Sequence, residues 1–129
     1  MNREIKFRGK SKKTDKWIYG YYFKNRGIDF IAPDEFANGK TWEDYEVDSD
    51  SVMQFTGRYD KNGREVYEGD VLRFYDEDIP SDVVFAFVDG ALMAVYTSAL
   101  DVRSSWPVND MVMIGNIHDN PELLKTETL

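Results

Sequence analysis

Hydrophobic residues in this chain recur at every second position, in short runs separated by turn-forming residues, and the period of two predicts strands rather than helices. The first run alternates with Ile5 and Phe7 on one side and Lys6 and Arg8 on the other, as a half-buried strand requires. A polar connection, Gly9 to Lys16, leads into Trp17-Ile18-Tyr19-Gly20-Tyr21-Tyr22-Phe23, where Trp17, Tyr19, Tyr21 and Phe23 share a side. The two runs predict a hairpin with Trp17, Tyr19 and Tyr21 in the core and Gly20 at a bulge or a close backbone approach. A further short strand, Ile28 to Ala32, ends at Pro33.

Beyond Pro33 the chain becomes acidic: Asp34, Glu35, Glu43, Asp44, Glu46, Asp48 and Asp50 surround an Asn38-Gly39 turn. Ser51 to Thr56 is a candidate strand, followed by the turn Asp60-Lys61-Asn62-Gly63-Arg64 and a second turn at Glu68-Gly69-Asp70. Val71 to Tyr75 is the next strand, with Pro80 expected to enforce a break after it. Two apolar runs, Val83 to Val88 and Ala91 to Tyr96, flank the two-residue turn Asp89-Gly90 and form the clearest hairpin signal. Both sides of that hairpin are apolar, so a second layer or another subunit must cover the outer one. Val84, Ala86, Val88, Ala91, Met93 and Val95 are therefore the candidate interface of a homo-oligomer. Met111 to Ile117 is a last strand, and Asn120-Pro121-Glu122 predicts a short C-terminal helix. The expectation is a mainly β chain with an N-terminal β-hairpin region and acidic loop over 1–50, and a second β region over 51–129.

Composition narrows the chemistry. A length of 129 residues, 42% of them hydrophobic, suits one ordinary domain or a small barrel with an appended hairpin region and leaves no room for two enzymatic domains. No cysteine occurs, which removes disulfides, thiolate nucleophiles and cysteine-ligated metal sites and is compatible with a cytoplasmic location. The N-terminus lacks the uninterrupted apolar stretch of a secretory signal, so the mature chain is expected to begin there, and no apolar run is long enough for a membrane helix.

The net charge of −8 is unevenly spread: residues 1–26 carry nine Lys or Arg against two acids, and the rest carries seven against twenty-two. Arg3, Lys6, Arg8, Lys10, Lys12, Lys13 and Lys16 flank aromatic strands, the combination of phosphate neutralisation and base stacking used in single-strand binding. Such binding is expected to weaken steeply with salt. The plainer alternative is that these basic residues lie against the acidic loop of the same or a neighbouring subunit.

Four blocks, in order, carry a family resemblance. They are Arg3-Glu4-Ile5-Lys6-Phe7-Arg8; Trp17-Ile18-Tyr19-Gly20; the stretch from Gln54-Phe55-Thr56-Gly57 through Asp60-Lys61-Asn62-Gly63 to Tyr67-Glu68-Gly69-Asp70-Val71; and Ile114-Gly115-Asn116-Ile117 with Asn120-Pro121-Glu122-Leu123-Leu124. Together they resemble the YopX family of small phage and prophage proteins. Gly9-Lys10 and His118 depart from residues common in that family. The resemblance implies a mostly β protein whose C-terminal part is an SH3-like barrel, encoded by a phage or prophage, and it supplies no catalytic residues. Gly57, Gly63 and Gly69 stand where turns need positive φ, so the central block is read as a folding motif rather than a ligand site.

Other chemistry finds little footing. His118, the one histidine, lies beside Asp119 near a predicted helix cap with no nucleophile motif nearby. Asp60, Asn62 and Gly63 fail as a calcium loop, since aligning Asn62 to its fifth position places Arg58 and Gly69 where carboxylates are required. The acidic runs Glu43 to Asp50 and Asp76 to Asp82 have no metal-site spacing, and no glycine-rich phosphate loop occurs. A non-enzymatic homo-oligomeric scaffold or adaptor without a cofactor is the first expectation, and a nucleic-acid-binding regulator using the basic N-terminal hairpin is the alternative.

Overall fold

Tight turns close the β2–β3 and β6–β7 hairpins of the computed structural model, which describes residues 4–88, 91–96, 102–103 and 108–124. The chain divides into two units, Met1–Phe55 and Thr56–Leu129. In the first, β1 (Phe7–Lys10) leads to β2 (Trp17–Asn25) and β3 (Ile28–Ala32), and β4 (Met53–Tyr59) begins at its end. Arg26 and Gly27 both have positive φ, 53° and 79°, which closes the β2–β3 hairpin in two residues. β2 serves two partners in succession: Trp17 to Gly20 pair with Lys10 to Phe7, and Tyr21 to Asn25 pair with Ala32 to Ile28. β1 pairs with β4 on its other side, Arg8 opposite Met53.

Gly20 stands at that handover with a φ of 158°. A Cβ placed there would collide with the carbonyl oxygen of Ala32 and lie 2.7 Å from the Ala32 carbonyl carbon. The close backbone approach expected for Gly20 is thus found. Between β3 and β4 the acidic segment forms two short 3-10 turns, Trp42–Tyr45 and Ser49–Ser51, pinned by isolated bridges from Val47 to Ser11 and from Glu46 to Phe30. Ile31, Val47, Met53 and Phe55 are buried in this unit.

In the second unit β4 turns at Asp60 into β5 (Glu65–Tyr67), and β6 (Asp70–Asp76), β7 (Ile79–Val88), β8 (Ala91–Tyr96), β9 (Val102–Arg103) and β10 (Val112–Asn116) follow. These last five form an antiparallel sheet in the order β10-β6-β7-β8-β9. Buried carboxylates hold the turns: Asp60 accepts from the backbone N–H groups of Asn62 and Arg64 at 2.9 Å and of Met113 at 3.0 Å, and Asp70 accepts from that of Tyr67 at 2.6 Å. Gly57, Gly63 and Gly69 have φ of 83°, 79° and 88°, so the central block does the architectural work its glycines predict.

Both sides of the β6–β7 pair are covered from within the unit. On one side Leu72, Val83 and Phe85 pack with Val66, Val108 and Met111. On the other, Val71, Val84 and Val95 pack with Ile114, Ile117 and Leu123. Val84 and Val95, expected at an intersubunit contact, are only 5% and 6% exposed, because the segment after β10 supplies the missing layer. Ala86 packs against the same cluster. The side chains of Val88, Ala91 and Met93 and the turn Asp89-Gly90 lie outside the described residues, while the backbone pairing from Val83–Tyr96 to Val88–Ala91 is as predicted.

Several expectations change. The sheet of the second unit is open among the described residues, so the closed barrel is not what is observed. The predicted C-terminal helix is a single 3-10 turn, Pro121–Leu123: the Leu124 N–H returns to the Pro121 carbonyl, and Leu124 is already extended. Pro80 does not break the chain; β7 starts at Ile79 and pairs Pro80 with Tyr75. A two-residue turn makes its flanking pair, Asp76 and Ile79, the hydrogen-bonded one, so Pro80 falls at the next pair, where no N–H is needed. Glu77 and Asp78 adopt φ of 49° and 70° in that turn, a conformation usually signalled by Asn-Gly. Ile5, expected on the inner side with Phe7, precedes β1 and is 60% exposed.

Gly20→Ala is expected to destabilise the protein by roughly 1–3 kcal/mol or more, since it adds a side chain at positive φ and forces β3 away from β2. Chemical denaturation would read this as a lower midpoint, and a midpoint equal to that of the unsubstituted protein would show that the β2–β3 approach is not as tight as described.

Candidate functional site

Residues opposite one another in an antiparallel pair project to the same side, so the register assigns faces. Arg8 lies opposite Tyr19, Lys10 opposite Trp17, and Phe23 opposite Phe30. One face of the first unit therefore carries Trp17, Tyr19, Tyr21 and Phe23 in a row along β2, with Arg8 and Lys10 beside them. The opposite face carries Phe7, Tyr22 and the fully buried Ile31, with the Phe7 and Tyr22 rings 5.7 Å apart. The Tyr22 hydroxyl donates to Asp29 at 2.6 Å, which raises its pKa.

Tyr19 and Tyr21 are 49% and 57% exposed, and Trp17 is half-buried. Their expected burial is thus corrected for the two tyrosines. Period-two patterning marks two sides without saying which is inner, and the inner side here is the one with the smaller residues. Gly9 faces Val47 so closely that a Cβ would sit 3.0 Å from three of its side-chain atoms.

The basic residues separate into two sets. The Arg8 guanidinium lies 4.5 Å over the Trp17 ring, its Nη2 donates to the Met53 sulfur at 3.3 Å, and the residue is 5% exposed. Arg8 is therefore buried against Trp17 rather than offering its charge to solvent. Lys10 sits 5.2 Å over the Trp17 ring, and Lys6 sits 5.3 Å over Phe55 and 3.6 Å from Glu4. Lys12 and Lys13 turn away to the acidic segment, pairing with Glu46 at 3.1 Å and Asp44 at 2.9 Å. Lys16 is exposed, and Arg3 lies outside the described residues.

The Lys13 hydrogen bond, helped by the Thr41 N–H, lowers the Asp44 pKa from the ordinary 3.8 to about 2, and Asp44 in turn raises that of Lys13. Elsewhere Asp82 holds Arg73 through two bonds of 2.8 and 3.1 Å. Asp48 caps Asp50. No cluster of three or more His, Asp or Glu suited to a metal ion occurs among the described residues. His118 Nδ1 lies 3.5 Å from Asp119, beside Asn116, whose side chain accepts from the His118 and Asp119 N–H groups.

Sequence reasoning missed two parts of this face. Phe23 and Phe30 stack at 5.0 Å, and Trp42, 52% exposed, meets both edge-on at 5.0 and 5.8 Å, lengthening the aromatic row. A cleft of about 530 Å³ also opens beside Tyr21, lined by Glu4, Ile5, Lys6, Gly20, Pro33 and Asp34. The Arg26-Gly27 turn was the available signal for the first, because it sets Phe30 opposite Phe23. Nothing in the local pattern announces the cleft.

Two antiparallel sheets joined by tight turns, with no helix beyond 3-10 turns among the described residues, define a small mainly β protein. The chain belongs to the YopX protein family, whose model matches residues 6–125. A similar solved structure is that of protein EF1440 from Enterococcus faecalis, with a TM-score of 0.55 and 24% identity over 95% of this chain and 99% of that one, a likeness of fold. No curated protein matches the sequence. No helix among the described residues is long and apolar enough to cross a membrane.

Because the folded pKa of Asp44 is depressed, its pairing contributes stability that is fully present above the ordinary carboxylate value of 3.8 and lost as pH falls through about 2. Asp44→Asn should therefore be less stable than the parent at neutral pH, with the difference closing across that window. Thermal melts of both proteins at a series of acid pH values check this, and a gap that persists unchanged to the lowest pH would contradict it.

Proposed function

We propose that this chain is a non-enzymatic accessory protein, encoded by a phage or prophage and acting in the host cytoplasm, that binds single-stranded nucleic acid on the aromatic face of β2. The observation that carries this reading is the row Trp17, Tyr19, Tyr21, half-buried at Trp17 and exposed at both tyrosines, with Lys10 over the Trp17 ring and Lys6 in the cleft beside Tyr21. Same-side residues of a strand stand roughly 6.6 Å apart, a repeat suited to an extended strand whose bases stack on successive rings. Residues 1–55 hold ten basic and ten acidic groups, so the first unit is neutral overall and the net −8 resides in residues 56–129. Stacking must then supply much of the affinity. With Lys12 and Lys13 engaged by the acidic segment, about two or three phosphates are contacted, and the salt slope is shallow, roughly −1 to −2 for a single strand.

Tyr19→Ala with Tyr21→Ala is expected to weaken binding of a short oligothymidylate by one to several powers of ten, at roughly 1–3 kcal/mol per lost stack. Both tyrosines are exposed, so the melting temperature should hardly move. Lys12→Glu with Lys13→Glu should change affinity far less than Lys6→Glu with Lys10→Glu. Fluorescence anisotropy at low salt reads all of these, and absence of any binding there removes the proposal.

The second reading, a homo-oligomeric scaffold or adaptor, has support in Tyr75 and Ile79, 64% and 66% exposed beside the β6–β7 turn. It predicts a dimer or larger species by light scattering at micromolar concentration, and a strict monomer would end it.

A further inference from the structure

The cleft beside Tyr21 has a shape and a donor-acceptor set that the stacking row alone does not need. Ile5, Pro33 and Tyr21 supply its apolar lining, with Gly20 beside them. Asp34 and Tyr21 line the cleft together; Asp34 accepts from the Tyr21 hydroxyl, which raises the tyrosine pKa and leaves the carboxylate further lone pairs for a ligand. Glu4 adds a second carboxylate and Lys6 a cation on the same wall, 3.6 Å from each other.

A ligand matching this set is flat, offers two adjacent N–H donors to a carboxylate, and carries acceptors on a neighbouring edge for an ammonium. Among nucleobases guanine alone does so: its N1–H and N2 amino group face the carboxylate, while O6 and N7 accept from a lysine. Adenine and cytosine each put an acceptor next to their amino group, which a carboxylate repels, and uracil has a single N–H. An arginine side chain also presents paired donors, but it offers no acceptor to the Lys6 ammonium.

The geometry points to the cleft lined by Tyr21, Asp34, Lys6 and Glu4 as a guanine-binding site at the end of the aromatic row. This rests on the nucleic-acid reading above and gives it a base preference: a strand lying on Tyr19 and Tyr21 would place one guanine against Asp34.

The test uses the full chain labelled with nitrogen-15 and titrated separately with the 5′-monophosphates of guanosine, adenosine, cytidine and uridine, and with N-acetyl-arginine amide. Guanosine monophosphate is expected to shift the amide signals of Gly20, Tyr21 and Asp34 at roughly tenfold lower concentration than the other three. Asp34→Asn should abolish that preference while leaving the remaining spectrum in place, which separates loss of the site from loss of the fold. Equal responses to all four nucleotides, no response at these residues, or a stronger response to the arginine amide would each overturn the assignment. Oligothymidylate binding without a guanosine preference sinks the cleft alone. A guanosine preference without oligonucleotide binding sinks the row alone.

Discussion

Where β2 passes from β1 to β3, the carbonyl of Ala32 comes so near Gly20 that no side chain fits between them. That approach lets one strand pair with two partners in succession, Phe7 on one side of the handover and Ala32 on the other. With β2 held this way, Tyr22 turns inward to Phe7 and Asp29, and the neighbouring odd-numbered rings turn outward. The exposed row, the stacked Phe23–Phe30 pair and the cleft at Tyr21 all follow from this backbone contact. A larger residue at position 20 would disturb each of them, although none involves a side chain there.

Charge placement then decides what the exposed row can meet. The acidic segment after Pro33 engages the β1–β2 turn through Lys12 and Lys13, and its backbone bridges to Ser11 and Phe30 hold it in place. Basic residues that look available in the sequence are thereby paired within the unit, while Arg8 is buried against Trp17. Exposed ion pairs such as Lys12–Glu46 contribute little stability one by one. Their consequence is selective: a polyanion bound there would meet two or three cations among aromatic rings rather than seven in a row. That is a surface suited to stacked single strands and poorly suited to tight, sequence-blind duplex binding.

Much of the fold was legible because turn chemistry and period-two alternation are local. The Asn62-Gly63 turn, the Val83–Tyr96 hairpin and the architectural role of the central block all follow from neighbouring residues. What was not legible depended on distant ones. Alternation in β2 marks Trp17, Tyr19 and Tyr21 as sharing a side, but burial is decided by Val47 against Gly9 and Ala32 against Gly20. The two-sided apolar hairpin suggested a second subunit, whereas Ile117 and Leu123, more than twenty residues beyond β8, cover Val84 and Val95. Pro80 reads as a breaker until the register shows that its missing N–H falls at an unbonded pair. The cap before Pro121 signals helix initiation correctly, yet the chain leaves the helical path after one 3-10 turn.

The strongest block of family resemblance and the proposed binding surface thus sit in different parts of the chain, although the family match spans both. The strongest block of resemblance, Gln54 to Val71, holds Asp60 and Asp70, whose buried carboxylates tie backbone N–H groups that would otherwise be unsatisfied. Replacing such groups costs folding, so a chain that keeps them keeps its architecture. Tyr19, Tyr21 and Asp34 lie in the open, where substitution costs little stability. Fold therefore constrains their identity less than that of Asp60 and Asp70, and the two exposed tyrosines on one side of β2, beside the cleft, are the groups on which the proposed binding would depend.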